Sequence, residues 1–412
     1  MPFPPRSRRT GELPLSVAAA LLVASSVTWR QNTFYSGGLD PVVVGKAVLS
    51  VTALTLAVGA ARRSLPRRPL RLGSMALLAL LLVASIFGAW YTQSTLSSSL
   101  TLVARLVVLA VTVFELLRAF PPIRVIRALA IWMAVIGLVA AVTGLGTLAA
   151  QGRLSGGIPP LFANELAELC GFALITLIWR DVQHRGRLWD FPVIVALAGI
   201  TYLTGSRTGL LALGAALVVL FVQVRRLPVG VVLATLPLVP GLVFVVFGTH
   251  VVSDYLGRGG STSLTTLSSR TVAWSSALHL HHAFWDTWFG SGLSQLEIPV
   301  AAKYRSMQVL DSSWISALVQ GGLIGIILLA VWACYVTAVA VTAPRPYRLL
   351  ATTLVVFTLA RSFLESGLVA ASPAYLILLV VSLSSAAPTA GASRPAEPDR
   401  PAGKRREAVL AT

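Results

Sequence analysis

Arg207 lies in the tight turn Thr204-Gly205-Ser206-Arg207-Thr208-Gly209 between two apolar runs. A guanidinium at such a mouth can make paired hydrogen bonds to phosphate, and it can equally snorkel to a polar interface. Arg270 opens a helix-like stretch, where a cation opposes the helix dipole and calls for a carboxylate or a ligand anion. Asp311 stands where a long hydrophilic segment enters an apolar run. There it can cap a helix, or act as a base held by Ser312 or Ser313. Glu165 and Glu168 begin another apolar run, after Arg153 and the turn Gly156-Gly157-Ile158-Pro159-Pro160. Arg361 and Glu365 are four apart on one helical face and can pair. Ionisable groups inside apolar spans are costly and face protein or water, so each is a site candidate. Lys46 and Arg105 serve the same interior or neutralise a buried carboxylate.

The chain that must hold these groups is overwhelmingly apolar. Of its 412 residues 56% are hydrophobic and 12% charged, with a mean hydropathy of +0.79. A soluble domain carries about 25% charged residues, so a water-soluble fold is excluded. A membrane helix needs about 20 apolar residues. Runs near 12–29, 41–60, 72–91, 98–117, 128–148, 161–179, 190–204, 208–224, 227–248, 313–341, 348–366 and 371–387 predict an all-α polytopic membrane protein. It would have about twelve transmembrane helices and one large outer loop, about 249–312, containing short amphipathic helices. The first run, behind three arginines, reads as a membrane helix and not as a cleaved leader.

The net charge of +18 invites a nucleic-acid reading. Its arginines, however, crowd into alternate short connections, such as Arg62, Arg63, Arg67, Arg68 and Arg71, or Arg118, Arg124 and Arg127. That bias sets topology, with both termini cytoplasmic, and calls for membrane lipids and not for nucleic acid. Residues 1–387 are expected to form the membrane domain, and 388–412, rich in Pro, Ala, Ser, Arg and Glu, a disordered basic cytoplasmic tail. Cys170 and Cys334 fall in apolar runs as small hydrophobes. No phosphate-binding loop, dinucleotide fingerprint or cysteine–histidine metal pattern is present.

Within the long loop, residues 269–282 read as an amphipathic helix, with Val272, Leu278 and the face around Trp274 apolar. Phe284, Trp285, Trp288 and Phe289 follow, suited to the headgroup level and also to stacking on sugar rings. Of His279, His281 and His282 two are adjacent, so the three cannot share a helical face, and they read as surface histidines.

Four segments resemble the O-antigen ligase and Wzy-type polysaccharide polymerase superfamily, bacterial membrane enzymes with about a dozen spans and one large outer loop. Arg153 to Ala167, with Asn164, resembles an Arg-x-x-Gly…Pro-x-Asn stretch. Gly205 to Leu211, with Ser206 and Arg207, is similar to a Ser-Arg turn. Ser269-Arg270 to Trp274, then Gly290-Ser291-Gly292, resembles Arg…Trp…Gly-x-Gly. Asp311-Ser312, nine residues and then Gly322-Leu323-Ile324-Gly325 resembles a His-Asn/Ser…Gly-x-x-Gly signature, with aspartate in place of the family's histidine.

The resemblance implies metal-independent, inverting transfer of an undecaprenyl-diphosphate-linked glycan at the outer face of the bacterial plasma membrane, with no cofactor. Asp311, Arg207 and Arg270 would be catalytic; Arg153, Asn164, Glu168, Ser206, Trp274, Ser312, Arg361 and Glu365 would bind substrate. Losing the histidine tilts the expectation to a polymerase that extends another lipid-linked repeat unit. The alternatives are a ligase acting on a distinct lipid, cell-wall or protein acceptor, and a lipid-linked glycan flippase or transporter. Partners implied are the lipid-linked glycan, an acceptor glycan or lipid, a flippase and a chain-length regulator.

Overall fold

Apolar runs separated by proline, glycine and serine fold as helices, and the punctuation sets their starts. A computed structural model describes residues 12–30, 40–64, 68–92, 96–183, 189–224, 274–278, 284–302 and 305–384. Its helices are α1 (Glu12–Ser26), α2 (Pro41–Arg63), α3 (Gly73–Thr92), α4 (Leu96–Ala119), α5 (Pro122–Thr143), the short α6 (Leu145–Gln151), α7 (Ala163–Val182), α8 (Asp190–Leu203) and α9 (Arg207–Gln223). Then come α10 (Phe284–Phe289), a hairpin of β1 (Glu297–Ala302) and β2 (Arg305–Val309), α11 (Ser313–Thr342), α12 (Arg345–Ser362) and α13 (Pro373–Leu383). Proline opens α2, α5 and α13, where its missing N–H goes unused. Asp40 and Ser372 cap α2 and α13 through Val42 N–H and Tyr375 N–H.

The chain is helical and multi-pass, but the expectation of about twelve spans is corrected. Among the described residues five helices are long and apolar enough to cross a membrane: α2, α3, α4, α5 and α11. Helices α1, α8, α9 and α13 are too short, with 15, 14, 17 and 11 residues. At 1.5 Å per residue, α13 covers only about 16 Å of a roughly 30 Å core. Helices α7 and α12 are longer, but Glu165, Glu168, Arg180 and Asp181 interrupt the first and Arg345, Arg348 and Arg361 the second. Runs of apolar letters thus overcounted spans, because hydropathy does not separate a helix facing lipid from one facing protein. The run near 227–248 and the tail from 388 lie outside the described residues.

Helix α13 shows the point most plainly, since all eleven of its residues are buried. It touches α3, α4, α5, α7, α11 and α12 and forms the axis of the core. Tyr375 Oη donates to Leu106 O at 3.1 Å, Ser74 Oγ to Ser382 Oγ at 2.7 Å, and Trp332 Nε1 to Ser74 Oγ at 2.7 Å. In a bilayer each buried polar group must find such a partner inside the protein.

Helix α11 is broken at Gly322, whose φ of 64° and ψ of −159° are non-helical. The carbonyls of Val319 and Gln320, beside the break, accept Ser291 N–H at 2.9 Å and Gly292 N–H at 3.0 Å. Gly290, at φ 68°, sits so close to Gly322 that a Cβ on it would fall 2.6 Å from Gly322 N. The two glycine motifs expected from sequence are therefore one docked unit. Beside it the hairpin pairs antiparallel, Glu297 with Val309 and Pro299 with Met307. Ile298 and Val300 turn one face to Ala277, Leu310 and Val319 in a small second core.

Candidate functional site

The starts of α7, α9 and α11 and the end of α12 meet at one end of the bundle. Arg153 Nε donates to Thr204 O at 3.0 Å and Leu154 N–H to Leu203 O at 2.9 Å, fastening the segment before α7 to the α8–α9 turn. Ser206 is the α9 N-cap, its Oγ accepting Gly209 N–H at 3.2 Å. Arg207, half-buried, is the first residue of α9 and is engaged within the protein. Gly209 lets α9 approach α7, since a Cβ there would stand 3.1 Å from the Cβ of Ala167.

One turn along α7 the charges converge. Asn164 Nδ2 donates to Glu365 Oε1 at 2.6 Å, and Arg361 Nη1 donates to Asn164 O at 3.1 Å. Arg361 Nη2 stands 3.4 Å from Glu168 Oε2, both side chains being under 10% exposed. The expected pairing along one face is thus redirected. Helix α12 stops at Ser362, which puts Glu365 beyond it, and Arg361 reaches across to α7. Glu168 Oε1 is buried without a hydrogen-bond partner and lines a small open recess with Ser313, Arg361, Glu365 and Gly367.

Ser313 joins this network to the start of α11. Its N–H and Oγ both donate to Glu365 O, at 3.2 and 2.9 Å, and its Oγ accepts Leu368 N–H at 3.3 Å. Trp314 stacks on Phe363, centroids 5.5 Å apart, and its Nε1 donates to Ser362 Oγ at 3.0 Å. Asp311 and Ser312 immediately precede these anchored residues; Ser312 is buried and Asp311 half-buried. The side chain of Ser312 makes no cap hydrogen bond to α11. The sequence suggests Ser313 as a hold on Asp311; its hydrogen bonds go instead to Glu365 and Leu368, a role that the Ser312-Ser313 doublet alone does not show.

Trp274 lies in a helical stretch, 274–278, and packs half-buried on the small core of Ala277, Ile298 and Val300. Leu278, expected on the apolar face, is exposed. Arg270 and the three histidines lie outside the described residues. The loop aromatics gather on α3: Phe87 meets Trp285 and Phe289 at 5.7 and 4.5 Å, while Phe284 and Trp285 remain exposed. The described residues contain no group of histidine, cysteine, aspartate and glutamate that could hold a metal ion.

The arrangement supplies guanidinium groups beside carboxylates and hydroxyls in a half-enclosed, low-dielectric place. That combination can bind a phosphorylated group and orient a hydroxyl. Residues 192–330 match the family model described as O-antigen ligase. The span includes Arg207, Arg270, Trp274, both glycine motifs and Asp311, and leaves out the Arg153–Ala167 segment. A search of curated proteins finds no match. The resemblance to the O-antigen ligase and Wzy-type polymerase superfamily is borne out over residues 192–330, the part of the chain that matches the family model.

Proposed function

We propose that this multi-pass membrane protein is a glycan ligase, transferring a glycan from a lipid diphosphate to the hydroxyl of a distinct acceptor. The observation that carries the reading is the family match over 192–330. Its description names a ligase and so favours that alternative over the polymerase first expected from Asp311. The convergence of Asn164, Arg361 and the α11 start at one end of the bundle, where the start of α9 packs on α7, supports it. Against transport stands the break in α11, whose Val319 and Gln320 carbonyls are taken by the chain's own N–H groups and not offered to an ion.

In the proposed step the acceptor oxygen attacks the anomeric carbon as the bond to the diphosphate oxygen breaks. The diphosphate leaves with the electron pair, and the acceptor proton passes to Asp311. A single displacement inverts the anomeric centre. Charge builds on the leaving diphosphate, and Arg207 and Arg270 stabilise it more in the transition state than in the ground state. The network of Asn164, Glu168, Arg361 and Glu365 holds the floor of the site, with Arg153 and Ser206 setting the Arg207 turn, Ser312 beside Asp311 and Trp274 supporting the loop. No metal is needed for this step, since the guanidinium groups carry the charge. We place the site on the outer face of the plasma membrane, following the arginine-rich alternate connections.

The test incubates purified protein with undecaprenyl-diphosphate-linked glycan and candidate acceptors, beside R207A, R270A and D311N. Transfer to a separate acceptor, lost in the variants, supports the ligase. A ladder of longer lipid-linked glycans would make it a polymerase. Glycan crossing liposomes unchanged would replace the enzyme reading with a flippase.

A further inference from the structure

Helix α3 has 20 residues, about 30 Å of helix, which matches the thickness of a bilayer core. Arg68 and Arg71 stand just before it, so its charged end marks one boundary and its last turn, with Trp90 and Tyr91, the other. Leu80, Val83, Phe87 and Trp90 follow one another at the spacing of a single helical face. Leu80, Val83 and Trp90 are exposed and Phe87 is half-buried. On a membrane span, an exposed apolar face of this kind meets lipid.

Helix α10 is fastened where that face ends. Gly88 has no room for a Cβ against the carbonyls of Phe289 and Gly290, and Gly292 none against Ala89 and Ser99. Ser294 N–H donates to Ser99 Oγ, in the first turn of α4, at 3.3 Å. From Gly88 to the end of α3 is about 6 Å of helix. The rings form one chain: Trp90 to Phe87 at 5.7 Å, Phe87 to Trp285 at 5.7 Å, Trp285 to Phe284 at 5.2 Å and Phe284 to Trp288 at 6.2 Å. Phe284, Trp285 and Trp288 are exposed, as Trp90 is. The one carboxylate of α10, Asp286, has its Oδ1 buried. The exposed aromatics of α10 therefore continue the lipid-facing stripe of α3.

We propose that α10 and the last turn of α3 form an interfacial anchor, seated between the headgroups and acyl chains of the leaflet beside the candidate site. Tryptophan suits that boundary because its ring is apolar while its indole N–H reaches toward water. An interfacial helix sinks its apolar face about 5–10 Å into the boundary, and the attachment at Gly88 gives that depth. Stacking on a glycan fits less well. A sugar also calls for hydrogen-bonding side chains around the rings, and the carboxylate of α10 is turned inward. Ser291 and Gly292 tie α10 to α11 at Val319 and Gln320, so the depth of the anchor sets that of the α11 start, where Ser313 joins Glu365. The inference rests on the membrane reading of the chain and not on the transfer reaction.

The test places W285C, W288C or L80C in the full chain together with C334A, Cys170 being buried. All three positions are exposed, so a spin label is accommodated without repacking the core. Each labelled protein is put into phosphatidylcholine nanodiscs. Collision with oxygen and with a water-soluble nickel chelate then gives the depth of the label, calibrated with chain-labelled lipids. The L80C label is expected near the mid-plane, and the W285C and W288C labels about 5–10 Å into the boundary. Phosphatidylglycerol discs should give the same depths, since the rings and not charge hold the anchor. Free access of the nickel chelate to W285C and W288C would put the rings in water and overturn the proposal. Shielding from both reagents would put protein over the patch and overturn it too, as would a depth reached only in the anionic lipid.

Discussion

Replacing Gly322 with alanine tests whether the two glycine motifs form one docked unit. Gly322 combines φ 64° with ψ −159°, a region essentially confined to glycine. A residue with a side chain held there costs about 1–3 kcal/mol. The added Cβ would also overlap Trp288 C and O and Phe289 N, all backbone atoms that no rotamer change can move away. Relief requires α10 to separate from α11. That breaks the Ser291–Val319 and Gly292–Gln320 backbone bonds, worth about 1 kcal/mol each. The total is about 3–5 kcal/mol. Gly321, one residue earlier, has nothing within 4 Å of a Cβ and lies before the break. G321A should therefore be neutral, or stabilising by up to about 1 kcal/mol. The assay is the monodisperse fraction after heating in detergent, for both variants beside the parent. A stable G322A, or a G321A as damaged as G322A, would refute the docking argument.

Four further perturbations address the site. R361M leaves Glu168 buried without its cation and should cost about 3–5 kcal/mol, while R361M/E168M should recover much of it; a double-mutant cycle in thermal stability measures this. N164A removes a short bond to a carboxylate, worth about 1.5–3 kcal/mol, so hydrogen exchange over 363–368 should quicken. D311N and R207A should fold normally yet lower glycan transfer by about 100-fold or more. S206A, which removes a helix cap, should instead lose about 1 kcal/mol of stability, and an S206A protein as heat-stable as the parent would contradict the cap.

Helix existence was legible in the sequence because apolar runs and proline starts are local signals, and α2, α5 and α13 begin where Pro41, Pro122 and Pro373 stand. Which helices cross the membrane was not. That depends on what each face meets, and α13 is apolar all round because protein surrounds it. The hairpin was also missed, since its two short strands pack only a few side chains and Pro299 argues against a strand. At the site, charge and spacing singled out Glu168, Arg361 and Glu365, the family resemblance singled out Asn164, and the structure brings these four together. Their partners were not legible. Arg361 and Glu365 look like a pair at helical spacing, but spacing cannot show that the helix ends three residues earlier, at Ser362.

The features that lowered the span count also build the site. A lipid-facing span must satisfy every backbone group within itself and carries charge badly. Helices that end inside a bundle leave N–H and C=O groups at their tips, and here neighbours take them: Leu203 O by Leu154, Thr204 O by Arg153, Glu365 O by Ser313. Each such bond ties one helix end to the next, so Arg207, Asn164, Arg361 and Asp311 inherit fixed positions from backbone. A diphosphate carried on a lipid is met best by cations so held, because little reorganisation remains when charge develops. On this reasoning, lengthening α9 backwards through its turn with T204A/G205A would disturb the site more than removing a single charge. Gly205, at φ 60°, makes that turn, and Leu203 and Thr204 beside it supply two of the carbonyls. The double variant should lose glycan transfer and, unlike D311N, loosen residues 153–154 in hydrogen exchange. Unchanged exchange there would separate the turn from the site and sink the argument.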